Sequence, residues 1–187
     1  MAQSTLVYAI SPMESQMKYD YTEVLKDLVR IDTTNPPGNE KKALDYIQKI
    51  LEQEGIDSTI YESAPGRGNL LACLPAHEDV ADKDASDEGA GDLAPAERPL
   101  ILLSHIDVVL AKESQWKHPP FAAVEEDGFI YGRGTVDTKQ LTVMELAALL
   151  ALAENGEQRK RDVFLLVTCD EESGSALGLS AFLEETV

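Results

Sequence analysis

Basic residues are scarce in this sequence: 16 Lys and Arg stand against 34 Asp and Glu in 187 residues, a formal net charge of −18. Nucleic acids and anionic membrane surfaces are bound through clusters of Lys and Arg. No such cluster occurs, so neither is expected as a partner, and the acidity itself speaks only to solubility. Cysteine is rarer still. Cys73 and Cys169 both lie in apolar, strand-like surroundings, which makes them buried free thiols rather than a disulfide or zinc ligands and points to a reducing, cytoplasmic setting. No apolar run is long enough to span a bilayer: Leu6–Ile10 is too short and lacks the basic flank of a signal peptide, and the helical run 138–153 is short and flanked by charge. There is no Gly-x-Ser-x-Gly elbow, which argues against a serine hydrolase. Gly132-Arg133-Gly134 lacks the third glycine of a dinucleotide-binding turn. Internal repeats are absent.

What is present is enough chain for one domain with a real core. Residues 1–17 read as a loose extension, and residues 18–187 as the domain. Helical spacing predicts a helix over Tyr21–Ile31, stopped by Asn35-Pro36-Pro37-Gly38, and a second over 40–54 ending at Gly55. Ser58–Glu62 and Asn69–Leu74 read as strands. Residues 77–98, rich in Ala, Asp, Glu and Gly, cannot offset their ordering entropy by burial and are expected as a flexible acidic loop, with His77 solvated. Leu100–Val109 and Val163–Cys169 read as buried strands, and Phe129–Tyr131 as a short one. Residues 138–153 form a helix apolar on nearly every side, and 174–186 a last helix. The order predicts an α/β domain with a mostly parallel sheet flanked by helices.

The chemistry gathers between Leu102 and Lys139 and just after Cys169. His105 and Asp107 are two residues apart, so on a strand they share a face, and the carboxylate can orient the imidazole as metal-binding histidines require. A capped strand end with a solvated Asp is the plainer alternative. Asp137 follows the Gly132-Arg133-Gly134 segment and precedes the long helix. Asp170-Glu171-Glu172 follows the second buried strand. Polar groups at the ends of apolar strands are costly unless something pairs with them, and in open α/β sheets ligands bind at that edge. His and carboxylates shared between two zinc ions are a recurrent hydrolytic design. An adjacent carboxylate that is not a ligand serves as the base for water.

Together, Ser104-His105-x-Asp107-Val108-Val109, Trp116…Pro120-Phe121, Asp127-Gly128, Gly132-Arg133-Gly134-x-x-Asp137-x-Lys139 and Asp170-Glu171-Glu172-x-Gly174 resemble the co-catalytic zinc amidohydrolases. These include aminoacylases, acetylornithine deacetylases, succinyl-diaminopimelate desuccinylases and glutamate-type carboxypeptidases. The likeness runs from about Tyr21 and takes in the Asn35–Gly38 turn. It implies a zinc-exopeptidase-like catalytic domain cleaving an amide bond of a peptide or N-acyl amino acid. It also implies two Zn2+ ions per complete site, for which Co2+ or Mn2+ can substitute. By the same resemblance His105 and Glu172 are ligands of different zinc ions and Asp137 bridges them. Asp107 orients His105, Glu171 is the general base, and the Asp137–Thr138 peptide is cis.

Departures from the pattern are Leu110 in place of a frequent Pro and Gln140 in place of a frequent Gly. The family also carries a further acidic ligand, a final His ligand and a smaller lid or dimerisation domain, none of which appears before Val187. The expectation is therefore the N-terminal part of a larger enzyme, compatible with a homodimer in the longer form. The competing expectation is a non-catalytic fragment with an incomplete metal site. Arg133 and Lys139 are expected in ion pairs near the acidic cluster, His118 as an inert exposed side chain, and Trp116–Phe121 as a packed loop with substrate contact a minority alternative. The glycines are expected to serve backbone shape rather than ligand contact.

Overall fold

The computed structural model describes residues 18–77, 98–156 and 158–186. The expected extension over 1–17 and nearly all of the acidic loop therefore lie outside the described residues.

Helix α1 (Tyr21–Arg30) starts where Asp20 accepts the main-chain N–H groups of Thr22 and Glu23 through its side chain, relieving orphan donors at the N-terminus. Val24, Leu28 and Val29 recur at helical spacing and are buried. Helix α2 (Lys41–Gln53) buries Ala43, Leu44, Ile47, Ile50 and Leu51 in the same way. Strands β1 (Ser58–Ala64) and β2 (Arg67–Leu74) form an antiparallel hairpin. Its turn uses Gly66 at φ 78°, a conformation that favours glycine.

Strands β3 (Leu100–His105) and β6 (Val163–Thr168) complete a four-stranded sheet in the order β1-β2-β6-β3. A separate two-stranded ribbon joins β4 (Val124–Glu126) to β5 (Phe129–Tyr131). Helix α3 (Lys139–Glu154) connects the ribbon to β6, and α4 (Leu179–Thr186) follows it.

The layering is α/β as expected, but the described sheet is mixed: only β3–β6 is parallel, while β1–β2 and β2–β6 are antiparallel. Strand alternation in the sequence reports burial and not direction. The hairpin turn at Gly66 reverses the chain where a crossover helix would have kept it parallel.

One hydrophobic core joins α1, α2 and α3 to the sheet. Leu28, Leu44, Ile47 and Leu51 meet Leu70, Ala72, Leu165 and Val167, and Val143, Leu146 and Leu149 close it from α3. The opposite face is covered at its β1 end by α4, where Phe182 meets Tyr61 edge to face at 5.3 Å between ring centroids.

Strand β3 ends sooner than expected and is less buried. It stops at His105 and lies at the sheet edge, where Ile101 is 54% and Leu103 45% exposed. Helix α3 is likewise covered on one side only. Met144 is 64% exposed although the sequence is apolar there. The last helix begins at Leu179, later than its spacing suggests. Gly178 is packed so tightly that a Cβ would fall 1.9 Å from the Cys169 carbonyl oxygen, and the preceding residues turn rather than coil.

Leu149→Ala is expected to cost about 2–5 kcal/mol, because the side chain is fully buried between α3 and the sheet. Met144→Ala should cost well under that. Comparable losses for the two, measured by urea denaturation, would contradict this one-sided packing.

Candidate metal centre

Parallel pairing sets His105 opposite Thr168, so the ends of β3 and β6 emerge together. Ile106 N–H still donates to Thr168 O at 2.9 Å. The chain then leaves β3 and pairs with residues 33–35 instead. Val108 N–H donates to Thr33 O, Asn35 N–H donates to Val108 O, and the Thr33 hydroxyl donates to Ile106 O at 2.7 Å. From α3, Thr142 Oγ1 lies 2.9 Å from Ser104 Oγ, beneath the histidine.

Asp107 is fully buried. Its carboxylate accepts the Asn35 amide at 3.0 Å and the main-chain N–H groups of Glu171 and Glu172 at 3.1 Å each. His105 Nδ1 lies 3.4 Å from Asp107 Oδ1 and 3.2 Å from the Asp107 carbonyl oxygen. Burial opposes ionisation of Asp107, but its contacts to His105, Asn35 and the two N–H groups outweigh it and hold the carboxyl below the ordinary range. The plainer alternative of a solvated Asp is excluded.

The acidic pair is not at a strand end proper. Glu171–Ser173 form a single 3-10 turn entered through Asp170 at φ 63°. Both N–H groups at its start point into the Asp107 carboxylate, which leaves the two Glu side chains free to face the site. Asp137 comes from the loop before α3, and its peptide bond to Thr138 is cis. Gly134 shapes that loop. At φ 90° it sits so close to Val108 and Lys139 that a Cβ would fall 2.9 Å from the valine methyl.

His105, Asp137 and Glu172 converge. One ligand-competent atom of each lies within 4.8 Å of the others, the one such group among the described residues. His105 Nε2 is 3.2 Å from Asp137 Oδ1 and 3.7 Å from Glu171 Oε2. Burial alone would push the imidazole down, yet the Asp107 contact and the charges of Asp107, Glu171 and Asp137 raise its pKa to about 9. Glu172 is raised by burial first and then by Asp137. The arrangement is a field that draws positive charge to one point. An imidazole nitrogen, oriented through its other nitrogen, together with carboxylate oxygens is a donor set that suits a divalent metal ion.

Behind this point lies a buried polar chain that sequence reasoning missed. Asn35 also donates to Asp170 Oδ1 at 3.0 Å. The Arg67 guanidinium donates to Asp170 at 3.1 Å and to both oxygens of Glu40, at 2.7 and 3.1 Å. Glu40 is fully buried and Arg67 nearly so. Leu177 N–H occupies the other Asp170 oxygen. The only signal in the sequence was the Asn35–Gly38 turn, which looked like a helix stop.

Lys139 corrects the expected ion pair. It is fully buried, and its Nζ donates to the carbonyls of Leu28 and Ile31 at 2.9 and 2.7 Å, closing the C-terminus of α1. Burial pushes its ammonium down to about 7. Arg133 forms no ion pair among the described residues and lies over Trp116. His118 is half-buried rather than exposed: it packs edgewise on Tyr131 and its Nε2 is 3.2 Å from Glu126 Oε2. His77 is half-buried rather than fully solvated. It exchanges hydrogen bonds with the main chain of Arg159, giving its N–H and accepting at Nδ1, each at 2.9 Å.

Among the described residues no helix is long and apolar enough to cross a membrane. The thiols are free, and burial raises that of Cys169 to about 12.

Fold and site together describe an α/β scaffold that gathers one histidine and several carboxylates beyond the ends of β3 and β6. Residues 101–187, just under half of the chain, match the model of Peptidase family M20/M25/M40. Curated relatives include N-fatty-acyl-amino acid synthase/hydrolase PM20D1 of Xenopus tropicalis, 29% identical over 94% of this chain and 32% of that protein. Succinyl-diaminopimelate desuccinylase of Rickettsia typhi is 30% identical over 88% of this chain and 39% of that one. The chain thus spans well under half the length of either relative.

Among solved structures, the M20 family metallo-carboxypeptidase Sso-CP2 of Sulfolobus solfataricus superposes with TM-score 0.67 at 22% identity, covering 89% of this chain and 34% of that one. The Bacillus subtilis YXEP protein, described as a dinuclear metal binding peptidase, gives 0.56 at 19% identity, covering 88% and 38%. At such identities these likenesses establish the fold.

Two outcomes follow from the buried groups. Arg67→Met should cost about 3–5 kcal/mol, since it strands the Glu40 and Asp170 carboxylates inside the protein. Urea unfolding of the variant checks this, and a loss below about 1 kcal/mol would show that the carboxylates find other partners.

For Lys139 the folded pKa lies below the unfolded one, so between them the unfolded chain holds the extra proton and stability rises with pH. The stability difference between wild type and Lys139→Met should therefore grow from about pH 7 to about pH 10, by on the order of 1 kcal/mol per pH unit. A flat difference would mean that the ammonium stays charged inside.

Proposed function

We propose that this chain carries part of the active centre of a zinc-dependent hydrolase that cleaves amide bonds in peptides or N-acyl amino acids. The observation that carries the reading is the convergence of His105, Asp137 and Glu172 within 4.8 Å, with Glu171 beside them. In this reading His105, Asp137 and Glu172 would hold the metal. Cobalt or manganese would substitute. When bound, the metal pair activates water and polarises the scissile carbonyl.

The chain's own residues do the rest. Asp107 holds the imidazole with Nε2 turned outward and, through two N–H groups, fixes the turn that carries Glu171 and Glu172. Glu171, about half exposed, takes the proton of the attacking water on its carboxylate and returns it to the departing amine as the C–N bond breaks. Peptidase and N-acyl-amino-acid-hydrolase relatives support this substrate class. Two buried or half-buried free thiols support a reducing, cytoplasmic setting.

One observation favours a second reading, that this polypeptide holds metal without turning substrate over. Among the described residues the cluster has a single histidine and two carboxylates as close ligands, fewer than two zinc ions share in a complete site.

Elemental analysis of the purified chain, with Asp137→Ala as control, separates the readings. About two zinc ions per chain, lost in the variant, together with hydrolysis of N-acetyl amino acids, is the outcome for the enzyme. About one without hydrolysis is the outcome for the second reading, and wild-type chain free of zinc would sink both. If the chain is active, Glu171→Gln should lower kcat by about 10²–10⁴-fold while zinc content stays the same.

A further inference from the structure

Beside Asp137 lies a cavity built around a cation that has no anion. It encloses about 240 Å³, and its walls include Trp116, Ile130, Tyr131, Arg133, Val136 and Asp137. The guanidinium carbon of Arg133 sits 5.2 Å from the centroid of the Trp116 ring. Its Nε is buried with no hydrogen-bond partner, and among the described residues no carboxylate pairs with it.

The main chain anchors Arg133 firmly, its N–H donating to Pro120 O at 2.7 Å. An aromatic face beneath a guanidinium fixes its plane and strips water from one side. What remains is a planar fork suited to a carboxylate.

The chemistry next door supplies the need for such a fork. Asp137, Glu171 and Glu172 concentrate negative charge where a substrate must approach, and an anionic substrate is repelled unless fixed positive charge lies on the same flank. A peptide or N-acyl amino acid carries its carboxylate close to the scissile amide. Arg133 and Asp137 line one cavity, and Ile130, Tyr131 and Val136 offer apolar wall to the side chain between them.

We propose that this cavity is a carboxylate subsite, in which Arg133, held flat by Trp116, receives the carboxylate of the peptide or N-acyl amino acid. The proposal rests on the reading of the neighbouring cluster as an amide-hydrolase centre, and it makes Arg133 a substrate-binding residue.

Trp116 is the chain's one tryptophan, so its fluorescence reports occupancy without requiring turnover. The full chain is titrated with N-acetyl-L-leucine and with N-acetyl-L-leucinamide, and zinc content is measured on the same samples. The acid should change the Trp116 emission saturably, and the amide should bind about tenfold more weakly or worse. Arg133→Met should weaken the acid by about tenfold or more and leave the amide unchanged, with Arg133→Lys falling between because it keeps the charge and loses the fork.

The acid–amide comparison needs no variant, so it stands even if Arg133→Met does not fold. Equal binding of acid and amide, or no saturable change with either, overturns the proposal. Zinc-loaded chain whose Arg133 variants bind the acid like wild type overturns the subsite and leaves the metal reading intact. Arg133-dependent binding in a chain that retains no zinc supports the subsite and overturns the metal reading.

Discussion

A single buried carboxylate organises the centre of this molecule. Asp107 has no solvent contact, and an ionised group in that position would cost several kcal/mol if left alone. It is stable there because the Asn35 amide, two main-chain N–H groups and the His105 ring surround it. Each of those contacts also fixes something else. Asn35 ties in the segment after α1, the two N–H groups orient the turn bearing Glu171 and Glu172, and the imidazole is left with one nitrogen facing outward. Satisfying one charge therefore places three segments that are far apart in sequence.

The same economy extends outward through Asp170. Asn35 bridges the two aspartates, and Arg67 bridges Asp170 to Glu40 at the start of α2. Gly38 is needed where this chain passes, since a Cβ there would fall 2.3 Å from Arg67 Nε. On the other flank Lys139 joins α3, two residues past Asp137, to the carbonyls that end α1. The main chain then runs from Ile31 through Thr33 to Asn35. The loop that carries Asp137 and the segment that positions Asp107 thus hang from one short stretch of backbone, which gives their separation little freedom.

Much of this arrangement was legible in the sequence. Helical spacing located α1, α2 and α3 within a residue or two, and motif order brought out His105, Asp107, Asp137, Glu171 and Glu172 as one constellation. Strand direction was not legible, because alternation of apolar residues is the same in parallel and antiparallel pairing, and the tight turn at Gly66 decides it only for β1 and β2. The edge position of β3 was equally hidden, since Ile101 and Leu103 look like core residues in sequence and are half exposed in space. Lys139 misled for a physical reason. A lysine near an acidic cluster suggests an ion pair, whereas this one turns the other way and caps main-chain carbonyls. Arg67 and Glu40 gave no local sign, because their pairing spans a helix and a hairpin.

The two sides of the candidate metal centre are held very differently. His105 is largely buried and fixed by Asp107, while Asp137 is 71% exposed and Glu171 55% exposed. Exposed carboxylates a few ångströms apart repel one another, and side-chain hydrogen bonds do little here to restrain them. What confines them is backbone: the glycine-shaped loop before α3 and the 3-10 turn pinned to Asp107. The buried side thus fixes where positive charge belongs, and the exposed side supplies oxygens that can adjust around it. Such a cluster is ordered on its protein face, and the mutual repulsion of its outer carboxylates favours positive charge placed between them.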